Sequence, residues 1–78
     1  MPSITDRFFE AFDDLVFTKK LSGRKFCAAM DIDRRNFYKK AKDHSLGYLN
    51  PDWLAYLVKE YGVSALWLLT GDGWMFGK

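Results

Sequence analysis

The chain has 78 residues, 49% of them hydrophobic and 18% aromatic, with a formal net charge of +2. That length predicts a single domain, residues 1–78, with a modest core; the composition excludes a disordered chain, and no apolar run approaches the ~20 residues of a membrane span. One cysteine excludes an internal disulfide. It suits a reducing cytoplasm, where the chain is expected, and the opening MPSITDRFFE lacks the apolar core of a signal peptide.

The first predicted helix runs from about Ser3 or Thr5 to Phe17 or Thr18. Ile4, Phe8, Ala11, Phe12 and Leu15 recur at three- and four-residue steps, and Phe9 and Val16 widen the stripe. Asp6, Glu10, Asp13 and Asp14 take the outer face, which reads as an ordinary solvated surface turned away from any polyanion. Residues 22–42 then read as two short helices and a tight turn. Leu21 and Phe26 bracket Ser22 as a hydrophobic staple brackets an N-cap, and Ile32, Asp33 and Phe37 repeat the arrangement eleven residues later. Only three or four residues are left between them, the spacing of a helix-turn-helix. On the second of these helices Phe37 and Ala41 share one side, while Arg35, Lys39 and Lys42 gather opposite, flanked by Tyr38. Arg34 projects from its first turn.

A loop follows over residues 43–49, with Gly47 as its turn residue. Asn50, Pro51 and Asp52 supply a cap, a proline at the first helical position and an acid favoured by the dipole. Trp53, Leu54, Tyr56, Leu57, Val58 and Tyr61 surround most of that helix, which predicts a place at the centre of a bundle, with Gly62 ending it. Ser64 caps a last short helix, closed by Gly71. Leu66, Trp67, Leu68 and Leu69 exceed what one buried face needs; covering the core is the expected use, a small dimer patch the other. The aromatic tail Trp74, Met75 and Phe76 is expected to fold back, though it could also begin a connection to a further C-terminal domain.

Charge is unevenly spread. Residues 19–42 hold nine bases against Asp31 and Asp33, a net +7; the remainder holds Arg7, Lys59 and Lys78 against eight acids, a net −5, and together they give the overall +2. A positive pole on one helix pair suits a polyanion. Catalysis finds little support: no Gly-x-Ser-x-Gly elbow, P-loop or dinucleotide fingerprint is present. His44, the single histidine, has no obvious orienting acid nearby in sequence, and zinc would have to be held mainly by carboxylates. No cofactor or metal is implied.

Phe26-Cys27-Ala28-Ala29-Met30-Asp31-Ile32-Asp33 resembles the F-A-x-x-L-G-I-S segment of the lambda-repressor-like helix-turn-helix family. The ending from Val63 to Phe76 resembles the W-L-L-T-G-x-G-x-M-F signature of one branch, the phage repressor N-terminal DNA-binding domains. The resemblance implies an all-α fold of five helices, with the helix after Asp33 as the major-groove reader. Two positions depart from it. Asp31 stands where the family has a turn glycine at positive φ, and Lys40 where it has an apolar residue; either Ala41 takes over the packing or the lysine stem lies along the core.

The resulting expectation is sequence-specific binding of double-stranded DNA, as a transcriptional repressor or its N-terminal part. Arg34, Arg35, Tyr38 and Lys39 are the expected base contacts; Lys19, Lys20, Arg24, Lys25, Lys40 and Lys42 are the expected phosphate contacts. A weak dimer or a monomer in solution, pairing as a homodimer on a palindromic operator, is expected, with only Leu66, Trp67 and the tail offered for contact. The rival reading is a protein-interaction module that docks through Trp74 and Phe76; RNA binding is a third.

Overall fold

A side-chain oxygen starts every helix. In the computed structural model, which describes residues 2–45 and 49–76, the elements are α1 (Ile4–Phe17), α2 (Gly23–Met30), α3 (Arg34–Lys42), α4 (Pro51–Tyr61) and α5 (Ala65–Thr70). Ser3, Ser22, Asp33, Asn50 and Ser64 accept from the backbone N–H of Asp6, Lys25, Arg35, Asp52 and Trp67 respectively. Each such cap is worth about 1 kcal/mol. Among the described residues the fold is all-α, and no helix is long and apolar enough to cross a membrane. Gly47, the expected turn residue of the loop, lies outside the described residues.

The helices close over an aromatic centre. Phe12, Phe26 and Phe37, from α1, α2 and α3, meet pairwise with ring centroids 5.4, 5.0 and 5.1 Å apart. Trp53 of α4 joins them at 5.7 Å from Phe26 and 5.5 Å from Phe37. Both staple-and-cap starts therefore deliver their fifth residue, Phe26 and Phe37, to one place. Rings at these separations and tilted angles add about 0.5–1.5 kcal/mol per pair beyond the area they bury.

The helix at the centre is α1, not α4. Phe8, Phe9, Ala11, Phe12 and Leu15 are all buried, whereas α4 buries only Trp53 and Leu57 and leaves Leu54, Tyr56, Val58 and Tyr61 half-buried. An apolar circumference does not place a helix centrally when its neighbours are too short to cover it, and α5 has only six residues. The same shortage of cover leaves Ile4 and Val16, at the two ends of the α1 stripe, exposed. Phe17, off the stripe, is 85% exposed.

A single arginine ties α1 to α5. Arg7 Nε donates to Leu68 O at 2.8 Å, Nη2 to Leu69 O at 3.2 Å, and Nη1 to Pro2 O at 2.8 Å. The two leucine carbonyls belong to the last turn of α5, where no helical N–H remains to reach them and a positive charge is favoured. Trp67 and Leu68 are buried beneath this clamp, but Leu66 and Leu69 are 59% and 52% exposed, so the surplus of α5 only partly covers the core. The tail returns as expected at Met75, whose carbonyl accepts from Ser64 N–H at 2.8 Å, beside an antiparallel bridge between Val63 and Phe76. Trp74 does not share in this and stands 80% exposed.

Candidate nucleic-acid interface

The connections on either side of α2 are built alike. At the end of α1, Lys19 N–H donates to Val16 O at 3.0 Å and Lys20 N–H to Leu15 O at 2.9 Å; at the end of α2, Asp31 N–H donates to Ala28 O at 3.3 Å and Ile32 N–H to Cys27 O at 3.0 Å. Both are Schellman closures. Both place a non-glycine residue in the left-handed region, Lys19 at φ 64° and Asp31 at φ 56°. The positive φ expected at Asp31 is thus present. With Asp33 capping α3, the turn between α2 and α3 is confined to residues 31–33.

That turn sets the pose of α3. Phe37 is buried, Ala41 is half-buried against the core, and Arg34, Arg35, Asn36, Tyr38, Lys39 and Lys42 are exposed. Lys40 stands apart from the other expected phosphate contacts. It is half-buried, with Nζ 5.4 Å from the Trp53 ring centroid, a cation–π distance. Both Ala41 packing and a lysine stem laid toward the core therefore occur.

Tyr38 is 45% exposed and rests on the backbone of Gly23, the first residue of α2. A Cβ at Gly23 would lie 1.7 Å from the Tyr38 hydroxyl, so only glycine lets the phenol lie there. Gly23 escaped sequence reading because nothing local requires it; the contact joins residues fifteen positions apart. Asn36 also went unremarked, since a search for charge passes over a neutral amide. It sits exposed beside Arg35 with the donor and acceptor pair that suits adenine.

The basic residues line separate hollows. Lys19, Lys20 and Lys25 surround an open hollow of about 370 Å³ with Ser22, at the N-terminus of α2. Arg24 and Arg34 line a second, of about 430 Å³, together with Asp31 and Asp33. Cys27 lies on the same hollow; burial pushes its thiol up, with Arg34 pulling it partly back. Tyr38 and Lys42 border a third and larger hollow, of about 750 Å³. Lys39 and Arg35 line none of the three and are exposed on α3.

Part of the acidic face of α1 borders the third hollow. Asp6, Glu10 and Asp13 line it opposite Tyr38 and Lys42. Asp6 is not simply solvated there. Its Oδ2 accepts from Ser3 N–H at 2.9 Å in a capping box, and its Oδ1 pairs with His44 Nδ1. His44, first, and the Ser3 N–H hold the Asp6 carboxyl below its ordinary value. His44 is in turn stacked on Phe9, centroids 5.0 Å apart and planes 19° from parallel. An acid 38 residues away in sequence thus orients the histidine, a partner no local inspection could find. Among the described residues no group of three or more His, Cys, Asp or Glu side chains is placed to hold a metal ion.

Compared with protein-family models, with curated proteins and with solved structures, the chain matches none.

Proposed function

We propose that this chain binds double-stranded DNA sequence-specifically, as a transcriptional repressor or its N-terminal part, with α3 entering the major groove. The observation that carries the reading is the exposed row on α3: Arg34, Arg35, Tyr38 and Lys39, on a helix anchored from behind by Phe37. The resemblance to lambda-repressor-like domains leads to the same reading. Arg34, Arg35, Tyr38 and Lys39 take base edges, with Asn36 added to them; Lys19, Lys20, Arg24, Lys25 and Lys42 take phosphates, and Lys40 contributes charge from beside Trp53. The acids of α1 give the face a direction. Asp6, Glu10 and Asp13 repel a phosphate backbone beyond Lys42, on the α1 side, so the duplex reaches no further than Lys42 there and is steered toward the N-terminal end of α3 and the lysines before α2. Two chains meet on a palindrome with half-sites about one helical turn apart.

Binding to a pool of random duplexes, followed by a gel shift across a salt series, tests this. A preferred site should emerge, and its affinity should fall steeply with salt as several lysines and arginines displace condensed counterions. Failure to retain any duplex at low salt overturns the reading. A second reading, a protein-interaction module, draws on the 80% exposure of Trp74; it prevails if Trp74→Ala abolishes capture of a protein partner while duplexes are never retained.

A further inference from the structure

On the α4–α5 side, Pro51, Leu54, Val58, Ala65, Leu68 and Leu69 line an open groove of about 320 Å³ that is almost wholly apolar. Leu69 is 52% exposed at its lip, and Leu66, on the same short helix, is 59% exposed. A ridge beside a groove on one surface is self-complementary, because each copy can offer its ridge to the other's groove, the requirement for a two-fold interface.

Charge selects the same arrangement. Asp52 and Lys59 are exposed and seven residues apart, so they lie on one flank of α4, near its two ends. Neither has an ion-pair partner among the described residues. The midpoint between them falls at residues 55 and 56, and Ala55 is exposed there with almost no side chain to hold two helices apart. A two-fold axis through that midpoint lays α4 antiparallel on its copy. Asp52 of each chain then faces Lys59 of the other, twice over, along one flank, while Leu54, Val58 and Leu69 meet across the axis on the other. Parallel packing would instead turn the Asp52 and Lys59 flank of each chain toward the Leu54 and Val58 flank of the other, and no charge pair would form.

We propose that the α4 face, with the lip of α5, is a homodimer surface on which two copies of this chain pair antiparallel about Ala55, held in register by reciprocal Asp52–Lys59 pairs. The surface is independent of the DNA-binding reading and stands or falls without it. A contact built on an eleven-residue helix is small, so the dimer is reversible and populated only at high protein concentration.

Sedimentation of the full chain over a concentration series, without DNA, tests it. The wild type should show a monomer–dimer equilibrium. Asp52→Lys and Lys59→Asp, each turning two attractive pairs repulsive, should each weaken the dimer about tenfold, and the double exchange should restore it to within about twofold. Ala55→Arg, at a solvent-facing position, should abolish it with the helical circular-dichroism spectrum intact. That variant decides the matter should a lysine in the first turn of α4 unfold the helix. A chain that stays monomeric at every concentration, or a dimer indifferent to all these changes, overturns the proposal.

Discussion

The face made by α2 and α3 and the face made by α4 and α5 divide polar from apolar in different ways. On α3 the division is sharp. Phe37 is buried, and the exposed residues are cationic or hydrogen-bonding, Tyr38 included. On α4 and α5 the division fails: Ala55, Leu66 and Leu69 are exposed, and an apolar groove stays open between the helices. The two faces draw on one shared core, so the contrast does not come from a lack of apolar residues. It comes from cover. The aromatic cluster seals α1, α2 and α3 against each other, while the six residues of α5 cannot close over α4. One face is left charged and the other apolar.

The contrast can be broken most forcefully at the seal. Phe37→Ala should cost about 3 kcal/mol or more, since it opens a cavity where four elements meet. A urea titration showing a neutral change would mean that α3 is not anchored through Phe37, and its outward face would be wrongly assigned. The next effect should come from the other side. Arg7→Ala removes hydrogen bonds to both leucine carbonyls of α5 and should cost about 1.5–3 kcal/mol, the range for bonds to a charged group. Arg7→Lys should recover only part of this, because an ammonium cannot reproduce the fork. If Arg7→Ala leaves the melting midpoint unchanged, α5 is held by Trp67 and Leu68 alone.

Smaller gains should appear at the two turns that flank α2. Lys19 and Asp31 both occupy the left-handed region, where a Cβ is strained. Lys19→Gly should stabilise by about 1 kcal/mol and Asp31→Gly by about 0.5 kcal/mol, because aspartate tolerates this conformation better than lysine. The order matters more than the values. Thermal melts giving Asp31→Gly the larger gain would indicate that the Asp31 turn is under strain from the pose of α3, not only from its own backbone.

How far the sequence could be read follows from the range of each interaction. Helix bounds were legible because caps are local: Ser22, Asp33, Asn50 and Ser64 each satisfy an N–H two or three residues away. The outward row of α3 was legible because its periodicity is written in nine consecutive residues. What stayed hidden joins distant parts of the chain. Arg7 reads as one more surface base until α5 is placed beside it, 61 residues on. His44 has no evident hydrogen-bond partner in Asp43 beside it, and gains one only when α1 returns Asp6 to it. Gly23 looks incidental until Tyr38 is laid across it. The position of α4 was misjudged for a related reason: hydropathy shows how much of a helix can be buried, not how much its neighbours can cover.

A sequence-reading α3 requires Arg35, exposed on that helix, and Lys20, in the hollow before α2, to act differently on DNA. The decisive measurement is the affinity of the wild type, Arg35→Ala and Lys20→Ala for the selected duplex and for a scrambled one, across a salt series. Arg35→Ala should lose about 1–3 kcal/mol on the selected duplex and little on the scrambled one, as expected for an arginine bidentate to guanine. Lys20→Ala should weaken both duplexes alike and flatten the salt slope. If the two substitutions depress both duplexes equally, Arg35 is only a phosphate contact and α3 does not read sequence.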